Sequence, residues 1–145
     1  MKFLSSLNKK YLQNKICLLR VDLNIQNADL FKKNIHPRVS AVLPTIKFLI
    51  KNGAKVIILS HRGRPDKQCQ VSSVKCQKFS LRPFAKIFSK LLGKKVVFSD
   101  FKKISGIVSV SGPGSVFLLE NLRFWPEEEQ NNLEFAEKLA SLGDF

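Results

Sequence analysis

The stretch AKVIILSHRGRPDK (residues 54–67) decides the fold class. Residues 54 to 60 are almost entirely apolar over the length of one strand, with none of the alternation that marks a strand facing water on one side. Runs of that kind belong to strands buried on both faces, as in a parallel sheet covered by helices. The run then ends on His61, Arg62, Gly63, Arg64 and Pro65. A turn uses the glycine and the proline. It has no use for two arginines and a histidine, so the strand end points toward an anion.

The neighbouring segments fit the same sheet. Upstream, PRVSAVLPTIKFLIKNG (37–53) places Val39, Val42, Leu43, Ile46, Leu49 and Ile50 at spacings of three and four, one face of a helix. Pro37 stands at its start and Gly53 just past its end, the favoured asymmetry, and Pro44 is expected to kink it. Before it, KICLLRVDLNI (15–25) reads as a strand running into Asp22 and Asn24. Strand, helix and strand make one βαβ unit. Downstream, a helix is expected over 80–93, capped by Ser80 and closed near Gly93, then a short strand at 95–98. GSVFLLENLRF (114–124) supplies a further strand ending at Glu120 and Asn121, and 131–145 a last amphipathic helix. The Gly- and Ser-rich stretch 104–115 is expected to be a surface loop, with a short strand over Ile107–Val110. Alternation of this kind predicts a three-layer α/β architecture: a mostly parallel, open, Rossmann-like sheet with helices on both faces.

Composition sets the bounds. The chain has 145 residues, 44% of them hydrophobic and 25% charged, which suits one globular domain and argues against disorder. No window carries the ~18 consecutive apolar residues of a membrane span. The net charge of +14 is the unusual figure, and it points to an anionic partner. Three cysteines (Cys17, Cys69, Cys76) suit a reducing compartment, so a cytoplasmic protein is expected. Cys17 lies in an apolar run as a small hydrophobe. Cys69 and Cys76, with His61 near in sequence, form no C-x-x-C pair and lack a fourth ligand, so no metal is expected.

Ligands of open α/β sheets bind outside the carboxyl ends of the strands. Here Asp22 and Asn24, then His61 to Arg64, then Asn121 and Arg123 follow three different strands. Arg38 opens the first crossover helix and so returns to the same rim, where the helix start adds partial positive charge. Guanidinium forks match carboxylates and phosphates in two bonds at once. Several forks on one rim describe a site for a small, multiply charged anion. The plainer alternative is a set of solvated loop charges, and it weakens when three strand ends and a helix start agree.

The segments LLRVDLNI, RVSAVLPTIKFLIKNGAKVIILSHRGRP, SLRPFAKIFSKLLGKKVVF, GSVFLLENLRFWPEEE and FAEKLASLGDF follow one another in the order of the phosphoglycerate kinases, and the chain resembles that family in register through most of its length. The resemblance implies glycolytic phosphoryl transfer between 1,3-bisphosphoglycerate and ADP, giving 3-phosphoglycerate and ATP. It makes residues 1–145 part of an N-terminal, glycerate-binding domain, with the sheet incomplete at its C-terminal end. Asp22, Asn24, Arg38, His61, Gly63, Arg64 and Arg123 match the family's substrate-binding positions, and Arg38 its phosphoryl-stabilising arginine. Arg62 replaces an apolar residue; it is kept among the substrate-binding candidates, with its side chain expected to point to solvent. Gln26, His36 and Pro37 also depart from the family pattern.

By the same resemblance the chain stops at LGDF, before a strand that would pair beside the first one. That leaves a bare apolar edge, and the nucleotide domain is absent. No Gly-rich phosphate loop is present, so no cofactor is expected on this chain; Mg-ATP or Mg-ADP would be held by the missing domain, on the rest of a longer protein or on a separate chain. Weak glycerate binding without turnover is therefore expected. The alternatives are an inactive truncated remnant and a small basic nucleic-acid-binding protein. Against the latter, the phenylalanines sit at core-like positions and no specific nucleic-acid motif occurs.

Overall fold

The computed structural model describes residues 6–30, 34–66 and 74–145. Among them, β1 (Ile16–Arg20), β2 (Lys55–Leu59), β3 (Val96–Ser99) and β4 (Val116–Leu119) pair in the order β1-β2-β4-β3, every pairing parallel. Helices α1 (Lys9–Leu12), α2 (Asn27–Leu30), α3 (Pro37–Lys51), α4 (Arg82–Leu92), α5 (Ile104–Ser109), α6 (Pro126–Glu129) and α7 (Leu133–Ala140) fill the connections. Single 3-10 turns occupy Val74–Phe79 and Leu122–Phe124.

The unbroken apolar run of β2 has a direct cause. Val56 and Ile58 face one side of the sheet, where they meet Val39, Ile46 and Leu49 of α3 and Phe84 and Phe88 of α4. Ile57 and Leu59 face the other side, with Phe117 and Leu119 of β4 and Ile104 and Val108 of α5. Both faces are covered, so three layers form, and the only polar residue in the central strands is Lys55 at the start of β2. Each large side chain buried this way contributes about 1.5–3 kcal/mol. A cluster of Phe101, Trp125 and Phe135, with ring centroids 5.6–6.3 Å apart, holds the start of α7 to the segment that follows β4.

The expected boundaries need corrections. The stretch expected to form a strand over 107–110 is helix α5: Ile104, Ile107 and Val108 stand at helical spacing, and parallel strands β3 and β4 require a crossover between them. Ser80 sits one residue before the N-cap Leu81, although its hydroxyl still accepts from Arg82 N at 3.1 Å. The outer edge of β1, expected bare, is partly covered. Asp144 N donates to Ile16 O and Leu18 N to Phe145 O, each at 2.8 Å, and the Asp144 carboxylate accepts from Ile16 N at 2.7 Å. Of the other elements, α3 runs unbroken through Pro44, which lies on its exposed side, Gly93 closes α4 at φ 65°, a conformation glycine adopts without steric cost, and α7 is shorter than the 131–145 expected, ending at Ala140.

Cys76 is disulfide-bonded, which differs from the reduced thiols expected from the sequence; Cys69 lies outside the described residues. Cys17 is free and buried, and burial pushes its thiol up to about 11. The folded chain therefore keeps a proton that the unfolded chain loses, so stability falls as pH rises from the ordinary thiol range toward 11. Alkylation of Cys17 at pH 8 is expected to be slow in buffer and fast in urea. Native labelling as rapid as that of a free peptide thiol would contradict this burial.

Candidate anion-binding site

The carboxyl ends of β1, β2 and β4 open onto one rim, and hydrogen bonds between the three exits fix it. Ser60, buried at the end of β2, donates to Val21 O at 2.7 Å and accepts from Leu23 N at 3.0 Å, tying the exit of β1 to that of β2. Asp22 Oδ1 accepts from Asn24 N at 2.8 Å, an Asx turn that aims both side chains outward. Asn24 Oδ1 then accepts from Gly63 N at 2.8 Å. Gly63 adopts φ 60°, and a Cβ there would lie 2.6 Å from the Phe79 ring, so only glycine fits.

Arg38 is the second residue of α3. His36 caps the helix, its Nδ1 accepting from Arg38 N at 3.2 Å. The Arg38 guanidinium reaches across to Asn24 O at 2.5 Å and to Asp22 Oδ1 at 3.3 Å, and about half of both side chains stays in solvent. Arg123 approaches from β4, with Nη1 donating to Gly63 O at 2.8 Å. The structure thus joins Asp22, Asn24, Arg38, Gly63 and Arg123 in one hydrogen-bonded chain. His61 lies within the field of Arg123, Glu128, Asp22 and Arg20. Burial, then the Arg123 charge, holds it below the usual histidine range, so it is neutral near pH 7. Arg64 is exposed and makes no hydrogen bond or ion pair among the described residues.

Arg62 does not point to solvent. It is 3% exposed; Nε donates to Ile25 O at 2.8 Å, Nη1 to Ser80 O at 3.1 Å, and the guanidinium lies 5.4 Å from the Phe84 ring centroid. A turn residue that packs its guanidinium inward cannot be told from one that points outward by type alone.

Sequence reasoning missed two acidic partners and one cation. Glu128 of α6 binds Arg20 at 2.5 Å and stands 3.8 Å from Arg123 Nε, with Glu129 at 3.5 Å from the same nitrogen. These carboxylates hold Arg123 before any ligand arrives. The available signal was the acidic run Glu127–Glu129 straight after the Arg123 turn in a very basic chain. The arrangement offers permanent cations and a neutral imidazole, which suit binding of an anion rather than acid–base chemistry.

Replacing Arg62 with methionine takes the donor from one buried carbonyl, Ile25 O, and one partly buried carbonyl, Ser80 O. Urea denaturation is expected to show a loss of ~2–4 kcal/mol. A change within ~0.5 kcal/mol, as for an exposed arginine, would contradict the buried bonds.

A model of the phosphoglycerate kinase family matches residues 7–145. The chain is 42% identical to the phosphoglycerate kinase of Nostoc punctiforme over 99% of its own length and 35% of that relative. Against a chloroplastic phosphoglycerate kinase of Arabidopsis thaliana it is also 42% identical, over 99% of this chain and 29% of the relative. The phosphoglycerate kinase structure from Coxiella burnetii superimposes with a TM-score of 0.76 at 36% identity, covering 97% of this chain and 33% of that one. The chain thus spans about a third of the length of the relatives it matches. With the family matched over nearly every residue, the chain belongs to the phosphoglycerate kinases.

Proposed function

We propose that this rim is the glycerate-phosphate side of a phosphoglycerate kinase, binding 3-phosphoglycerate or 1,3-bisphosphoglycerate. The observation that carries the reading is the joining of Arg38, Asn24, Gly63 and Arg123 through hydrogen bonds at the ends of three parallel strands. In this reading Arg123, His61 and Arg64 hold the phosphate, and Asp22 accepts from a substrate hydroxyl. Arg38 lies across the carboxyl end, where charge develops as a phosphoryl group moves. Preorganised donors of this kind typically contribute about 10²–10³ in rate, and phosphoryl transfer leaves the protein chiefly that task together with positioning.

Mg-nucleotide belongs to another part of the enzyme in this reading, on a further domain or a separate chain. The rim carboxylates Asp22 and Glu128 are already paired with Arg38 and Arg20, so these residues do not fit a magnesium site. Among the described residues no helix is long and apolar enough to cross a membrane.

Calorimetric titration of the purified chain with 3-phosphoglycerate tests the binding. Arg38→Ala is expected to weaken it about 10–100-fold, the worth of a charge-assisted hydrogen bond. Arg38→Lys should recover only part, because the fork is lost. No heat of binding to the wild type, or equal affinity of all three proteins, would refute the reading. With 1,3-bisphosphoglycerate, Mg and ADP the chain alone is expected to form no ATP, and ATP formation would refute its dependence on a further domain.

A further inference from the structure

The residue that holds the rim together is not one that can touch a ligand. Asn121 follows β4 and is fully buried, at 0% exposure. Its Oδ1 accepts from Arg62 N at 3.0 Å and from Arg123 N at 3.1 Å. Its Nδ2 donates to Arg62 O at 2.8 Å and to Phe79 O at 3.0 Å. A side-chain amide has two donors and two acceptor sites. All four are spent, on three different segments of chain.

We infer that Asn121 is a positioning residue for the anion site, locking the loop after β2 to the turn after β4. The inference rests on the proposed glycerate reading of the rim. Arg62 has both its N–H and its C=O held by this one side chain, which fixes the peptide planes on either side of it. The second of those planes carries Gly63 N, which donates to Asn24 Oδ1, and the carbonyl of the same Gly63, one peptide further on, accepts from Arg123 Nη1, both at 2.8 Å. Asn121 thereby sets the distance between the β1 exit and the Arg123 guanidinium without reaching the surface.

Glu120 supports the lock from behind. It is 2% exposed, and its Oε1 accepts from Asn121 N at 2.8 Å and Leu81 N at 2.9 Å. Its Oε2 accepts from Ser80 Oγ at 2.8 Å. The start of α4 is thus drawn against the same turn. The lock needs an amide specifically. An aspartate of the same size would set an acceptor against the carbonyls of Arg62 and Phe79, and an alanine would leave two buried and two partly buried backbone groups without this partner.

The test is Asn121→Asp, beside a core control, Ile46→Val, in the whole chain. Ile46 is fully buried against α3's own face of the sheet and lies outside the rim. For each protein, 3-phosphoglycerate affinity is measured well below its melting temperature. Asn121→Asp is expected to weaken binding at least tenfold in protein that is still folded, while Ile46→Val binds like the wild type despite its lower melting temperature. Equal affinity for Asn121→Asp and wild type, or an equal loss in the control, overturns the inference. Should Asn121→Asp not fold, amide hydrogen exchange on the wild type decides: Arg62 and Arg123 N–H must both be protected, and free-peptide exchange at either overturns it. A wild type that binds no 3-phosphoglycerate sinks the glycerate reading instead, and the exchange rates then judge the lock alone.

Discussion

Because β1, β2 and β4 are hydrogen-bonded in parallel register, Ile16 opposite Lys55 and Val56 opposite Val116, the residues that follow them leave the sheet on the same side. That constraint brings together side chains about a hundred positions apart in sequence, Asp22 and Arg123. It also turns α3 back so that Arg38 returns to the end of the strand the chain has just left. The apolar layers on both faces, with Phe84, Phe88 and Phe117 buried, secure the register, since a slip by one residue would exchange the two faces of the strand that moved.

Charge acts locally on this frame. Of the 25 lysines and arginines, most are exposed and their mutual field is screened within about 8–10 Å at ordinary salt. The rim differs because two of its cations are held in place. Arg38 is fixed by Asn24 O and Arg123 by Gly63 O. Asp22, Glu128 and Glu129 offset part of the repulsion among them. An incoming anion would therefore compete with carboxylates already present, and an exposed pair such as Arg38–Asp22 is weak enough, up to ~1 kcal/mol, to yield.

The sheet and its main helices were legible because apolar periodicity survives in the sequence: the unbroken run of β2, the three-and-four spacing of α3, the glycine that closes α4. The order of strand ends also foretold that Asp22, Arg38 and Arg123 would share a rim, but it put Arg62 there as well. What could not be read was direction. Arg62 and Arg123 are the same residue type at similar turns, yet one guanidinium packs over Phe84 while the other lies along the rim. The short helix α5 was hidden by its Gly and Ser content, and the roles of Glu120 and Asn121 depend on partners some 40 to 60 residues away. Such long-range hydrogen bonds leave no period in the sequence.

The most direct measurement is a map of backbone amide shifts in the isotopically labelled chain as 3-phosphoglycerate is added. A single anion site predicts that the shifts gather at 22–24, 38, 61–64 and 121–123, saturate together with one dissociation constant, and leave α5 and α7 unchanged. Shifts spread over the exposed lysines without saturation, or centred away from the rim, would contradict the account, because the charge would then be acting as a diffuse surface and not as a built site.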